Sequence, residues 1–205
     1  MRRKTLPLLL LFLAGLTTPC LATNYYGIGG TLLIPISEPE IRGVGNELSV
    51  HYTSIRKKIG ISLQISRSSF PLEKDKVVKS LGYYSMEEET SWSFSGSYEV
   101  AEAALSLMLF GGDVTKEEFV PVLIGGLGYG SLRMTRNLKL IDDITGNVLE
   151  DASGDANRNF ATFHVGGGMM MQIHKKIHVL LAVVYREFHT NDRPIDMQFQ
   201  LGFYF

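Results

Sequence analysis

From Pro194 to Phe205 the chain alternates without a break. Ile195, Met197, Phe199, Leu201, Phe203 and Phe205 fall on one face, and Asp196, Gln198, Gln200, Gly202 and Tyr204 on the other. Period-two alternation is the pattern of a β-strand whose two faces meet different surroundings. On a soluble sheet the apolar face would cover a core, whereas in a membrane barrel it meets lipid and the polar face lines the interior. An apolar row that runs out to a carboxy-terminal Phe favours the membrane arrangement.

The other end of the sequence agrees. Arg2, Arg3 and Lys4 form a basic start, Leu6 to Leu16 an apolar core and Cys20-Leu21-Ala22 a small-residue cleavage site, so residues 1–22 read as a secretory signal peptide and 23–205 as one barrel domain. Lipoprotein processing at Cys20 is the rival, but Thr17-Thr18-Pro19 places Pro where a small Gly or Ala is wanted. Cleavage would remove the sole cysteine, leaving no internal disulfide. A net charge of −1 with 45% apolar residues would suit a soluble domain as well, and no charge asymmetry points to nucleic acid. After residue 22 no apolar stretch approaches the ~20 residues of a membrane helix, so a spanning chain must span as strands.

A barrel strand needs about 9–11 residues. Alternation predicts strands at 25–35, 46–54, 59–66, 90–110, 119–134, 160–173, 177–188 and 195–205. Within 90–110 the apolar row changes phase near Glu99 to Ala103, which reads as a bulge in one long strand or a turn between two short ones; the turn would give an odd count of nine, so 90–110 is expected as one long, bent strand whose first half extends beyond the membrane. An even strand count with both ends periplasmic then gives an eight-stranded antiparallel up-and-down transmembrane β-barrel. A ten-stranded version follows if Val77 to Met86 is also a strand. The polar segments 67–90 and 135–159 are expected as long outer loops, with short inner connections at 54–58, 111–118 and 173–176 and a short outer one at Asn191 to Pro194.

Pro121-Val-Leu-Ile-Gly-Gly-Leu-Gly-Tyr129, Phe163-His-Val-Gly-Gly-Gly168, Val183-Val-Tyr-Arg186 and Leu201-Gly-Phe-Tyr-Phe205 resemble the second half of the small outer-membrane β-barrel domain family, the relatives of OmpA and OmpW. The chain departs from that pattern at Val122, where an aromatic is usual, and at Ile124, where Gly is. The resemblance implies a bacterial outer-membrane location and makes Leu201, Phe203 and Phe205 the assembly signal. It also implies outer-membrane lipid and lipopolysaccharide, the barrel assembly machinery and periplasmic chaperones as partners of a monomer. The family is defined by fold, so activity does not follow from it.

The inward faces predict a polar interior. Glu47, His51, Gln64, Glu99, His164, Gln172, His178, Arg186, Asp196, Gln198 and Gln200 sit among glycines at 27, 29, 126, 128, 166 and 168. Eight strands enclose a space about filled by side chains, where charges must pair. Arg186 with Asp196 on the next strand is the expected bridge and Glu47 a second carboxylate in reach, in a network with His51 and Gln198. A structural plug is therefore the expected role, with three other classes open. A narrow solute channel would need a path between these side chains. An outer-leaflet lipid deacylase would need a nucleophilic pair, for which only His189-Thr190 offers itself, with no adjacent Ser and no G-x-S-x-G. A surface adhesin would act through the long loops or an exposed stripe of Trp92, Phe94 and Tyr98, which otherwise reads as an aromatic girdle. Asp142, Asp143, Glu150, Asp151 and Asp155 match no metal loop, and the five histidines, at 51, 164, 174, 178 and 189, form no ligand pair, so no metal, cofactor or catalysis is expected.

Overall fold

In a computed structural model, which describes residues 22–36, 43–80, 90–189 and 195–205, alternating segments become strands joined edge to edge. Among the described residues the strands are β1 (Thr23–Pro35), β2 (Gly45–Arg56), β3 (Ile59–Pro71), β4 (Thr90–Phe110), β5 (Phe119–Asp142), β6 (Val148–Asp151), β7 (Gly154–His174), β8 (Ile177–His189) and β9 (Ile195–Tyr204), and Lys74–Ser80 is a helix, α1. All pairings are antiparallel, and eight strands close a ring in the order β1-β2-β3-β4-β5-β7-β8-β9. The seam joins β1 to β9, and Phe205 continues it by exchanging backbone bonds with Tyr26 at 2.8 and 2.9 Å. β6 is an added piece that pairs only with the outer end of β5. The expected signal peptide, apart from Ala22, the connection at 191–194 and Thr190 lie outside the described residues.

The sides taken by the side chains identify the solvent. Tyr26, Ile28, Leu48, Val50, Leu63, Ile65, Leu105, Leu107, Leu127, Val165, Leu181 and Phe203 all point out and remain exposed, forming a continuous apolar belt that water does not favour. Such a belt, on a sheet closed so that it has no edge at that level, is the surface that acyl tails cover.

Three expectations need correction. Residues 135–159 are mainly strand: β5 runs to Asp142 and β7 starts at Gly154, so β4, β5 and β7, of 21, 24 and 21 residues, extend far past the belt as a projecting sheet. Within 67–90, β3 continues to Pro71 and is followed by α1, so 74–80 is helix and not loop; the ring has the eight strands expected, and residues 81–86 of the ten-strand alternative lie outside the described residues. Finally, β4 has no bulge: its register with β3 and β5 is unbroken. The phase change is a change of surroundings, because in the projecting part the apolar residues face inward. Trp92 and Tyr98 are buried there, not an exposed stripe, and Phe94 packs beside them.

The interior is layered. At the outer end Leu33, Phe70, Trp92, Leu138, Phe160 and Phe188 form an apolar cluster, and α1 adds Val77 and Val78 from above. At the inner end Tyr25, Phe110, Val122, Met170, Leu180 and Tyr204 form another. The 111–118 turn folds beneath it and contributes the buried Val114, whose carbonyl lies 3.1 Å from His178 Nε2. Glu47, Glu102, Arg186, Asp196 and Gln198 lie between the two.

Candidate functional site

β8 shows the layering in one strand: Val184 belongs to the inner cluster, Phe188 to the outer one, and Arg186 stands between them. Its guanidinium reaches carboxylates from three other strands. Nη1 donates to Glu47 Oε2 on β2 at 2.9 Å and to Glu102 Oε2 on β4 at 3.0 Å, and Nη2 donates to Asp196 Oδ2 on β9 at 3.1 Å. With its amide oxygen turned toward the arginine, Gln198 accepts from Nε at 2.9 Å and Nη1 at 3.1 Å. All five side chains are buried, and the ring of Phe188 lies 4.7 Å from the guanidinium carbon as its roof.

The carboxylates are held in turn. Gln64 Nε2 donates to Glu47 Oε1 at 3.2 Å. Glu102 accepts from the hydroxyl of Thr162, and His164 Nδ1 is 3.9 Å from the same oxygen. This crowding explains two glycines on β5. A Cβ at Gly128 would collide with both Glu102 and Thr162, and one at Gly126 would come within 2.6 Å of Ser106 Oγ and 2.8 Å of His164 Cδ2. Here glycine is required for close approach rather than for its torsional freedom. The space left among Gln64, Glu102, His164, Arg186, Gln198 and Gln200 is about 20 Å³. That is room for roughly one water.

A cross-barrel knot of this kind is expensive to break. Removing one partner of a buried ion pair leaves an uncompensated charge where water cannot reach it. It ties β2, β4, β8 and β9 across the lumen and fills the middle of the barrel. Among the described residues no group of three or more His, Cys, Asp or Glu side chains is arranged to hold a metal.

Of the network expected from sequence, Glu47, Arg186, Asp196 and Gln198 come together. His51 stands apart. It is hydrogen-bonded to Ser49 Oγ at 2.8 Å and its ring lies 5.5 Å from that of Tyr204. Glu99, expected inside, points out and pairs with Arg67 at 2.8 Å. Glu102 was missed although a signal existed: Leu105, Leu107 and Leu109 face lipid, so counting back in twos from Ser106 puts Glu102 on the inner wall. Leu201, Phe203 and Phe205 project outward from the seam strand. His189 ends β8 and is exposed.

No family model and no curated protein matches this chain. Among solved structures it is similar to a major outer membrane protein from Thermus thermophilus, with a TM-score of 0.58, 9% identity and coverage of 89% of this chain and 99% of that one. It is also similar to Neisserial surface protein A, with a TM-score of 0.51, 9% identity and coverage of 89% and 97%. Ail, the attachment invasion locus protein of Yersinia pestis, aligns at a TM-score of 0.48 and 12% identity over 89% and 96%. At 9% identity the first two matches speak to fold: the chain has the antiparallel, ring-closed barrel of small outer-membrane proteins.

Proposed function

We propose that this protein is a secreted member of the small outer-membrane β-barrel domain family that serves as a closed, non-enzymatic anchor, holding an ordered sheet outside the outer membrane. The observation that carries this is the Arg186 knot, bonded to Glu47, Glu102 and Asp196 between two apolar clusters. A solute would have to part buried ion pairs and displace an aromatic seal on either side. The experiment is planar-bilayer recording on the purified protein with a lipid-hydrolysis assay on the same sample. The expected result is a silent bilayer and intact lipid. Stepwise conductance at low loading would replace the anchor with a channel, and released fatty acid would replace it with a hydrolase.

What such an anchor offers is its projecting sheet. The hairpin tip between β5 and β6 carries Ile144, Val148 and Leu149 into solvent, which is the kind of surface a binding partner uses. Delivery to the membrane rests on the leader at 1–22 and on the row Leu201, Phe203 and Phe205, which faces outward along the closing seam. Phe205→Ser should therefore lower the amount of folded, heat-modifiable protein in the outer membrane, and unchanged levels would remove that row's role in assembly.

A further inference from the structure

The strand register places Leu201, Gly30, Leu48, Arg67 and Ala101 in one row around the outer wall, on neighbouring strands β9 to β4. The row below it is Phe203, Ile28, Val50 and Ile65. Gly30 interrupts the upper row, and nothing lies within 4 Å of where its Cβ would be. The result is an open groove of about 700 Å³ in the apolar belt, with Arg67 as its only charged lining residue.

We propose that this groove is a binding site for a phosphorylated, multiply acylated glycolipid of the outer leaflet, with an acyl chain over Gly30 and a phosphate on Arg67 and its neighbour Arg133. This rests on the membrane placement argued above and assigns a lipid to one patch of the wall. Arg67 lies at the outer margin of the belt: outward positions of β4 run from Leu105 and Ala103 through Ala101, opposite Arg67, to Glu99 and Ser97 just beyond it. Glu99 pairs with Arg67 at 2.8 Å and stands opposite Arg133 in the register of β4 with β5, so this stretch of the outer wall carries two guanidiniums to one carboxylate. The Arg67–Glu99 pair is exposed, and exposed pairs are weak. A phosphate that accepts from both arginines is the better partner, since guanidinium binds phosphate with paired, charge-assisted bonds. Because the cationic end of the groove is its outer end, head and tail fit a lipid of that leaflet. A second copy of the chain would bring the same cationic margin and gain no complementary charge.

Native mass spectrometry of the purified protein in detergent, with bisphosphorylated lipid A added and phosphatidylglycerol in a parallel arm, tests the site. Gly30→Leu fills the groove, Arg67→Gln removes the cation, and Gly125→Leu is the control, because Gly125 likewise has nothing within 4 Å of an added Cβ. The wild type and Gly125→Leu should retain one lipid A, with roughly tenfold weaker retention for Gly30→Leu and Arg67→Gln, the scale of one lost charged hydrogen bond. Equal retention in all four forms, equal uptake of phosphatidylglycerol, or a dimer mass in place of the adduct would overturn the site. Loss of the detergent requirement would instead sink the membrane placement beneath it. Heat-modifiability of each variant, read on the same samples, separates lost binding from lost folding.

Discussion

On the membrane side of Glu102, β4 turns the apolar row Leu105, Leu107 and Leu109 outward and has Met108 and Phe110 inward only at its inner end; on the other side its large apolar residues, Trp92, Tyr98 and Val100, all face inward. The strand is the same, its register is unbroken, and only the medium differs. In the belt, lipid takes the apolar face and the lumen must satisfy polar groups by itself, which it does through Arg186. In the projecting sheet, water takes the outer face and the apolar residues gather inside, under α1. The two regions obey one rule with the sign of the outside reversed, and Glu102 marks the level at which it changes.

The most damaging way to break this comparison is through the knot. Arg186→Met removes the guanidinium that Glu47, Glu102 and Asp196 share, at an expected cost of about 3–5 kcal/mol. Urea unfolding in lipid vesicles measures it. Adding Glu47→Gln, Glu102→Gln and Asp196→Asn to Arg186→Met should restore most of the loss, because the penalty is charge and not shape. Wild-type stability in the single variant would mean that the charges are solvated, and the sealed interior would be wrong.

A second test uses one face of one strand. Leu105 and Ser95 both point out from β4, ten residues apart, on opposite sides of the change. Leu105→Arg should cost about 2–4 kcal/mol, as a cation does on the lipid face near the bilayer midplane. Ser95→Arg should stay within about 0.5 kcal/mol, as on an ordinary surface. Equal costs would move the membrane boundary away from Glu102.

This reversal also decides what was legible in the sequence. In the belt each strand separates two unlike media, so Ile28, Val50, Ile65 and Phe203 could be placed outward by alternation, and the eight-strand ring followed. Beyond the belt the same alternation persists, in Leu132, Met134, Leu138 and Leu140 set between Arg133, Asn137 and Lys139, but its charged positions resemble a loop when a strand is required only to cross lipid. The helix α1 had no such pattern in its 7 residues. In the site, Arg186, Glu47, Asp196 and Gln198 could be chosen because polar residues at inward positions must find one another. Glu102 sits at the phase change, where a bulge would reverse its parity, and the inward position of His51 does not by itself say at which depth the side chain finds its partner.

The smallest expected effect lies at the far end of the projecting sheet, where water screens every charge. Asp142 closes the hairpin tip: its Oδ1 accepts from the backbone N–H groups of Thr145 at 3.0 Å and Ile144 at 2.8 Å, and its carbonyl accepts from the N–H of Gly146, which takes φ 71°. The backbone N–H and hydroxyl of Thr145, then the N–H of Ile144, hold the Asp142 carboxyl below its usual value. A carboxylate depressed in the fold binds fewer protons there than in the unfolded chain, so its contribution is complete above the ordinary aspartate value of about 3.9 and disappears as pH falls through the lower folded value. The amide resonances of Ile144 and Thr145 should therefore titrate together with a midpoint below about 3.9, and Asp142→Asn should abolish that titration while leaving the barrel folded. A midpoint at the ordinary value would show that the tip does not hold the carboxylate, and Ile144 would no longer be fixed in the position that makes it available to a partner.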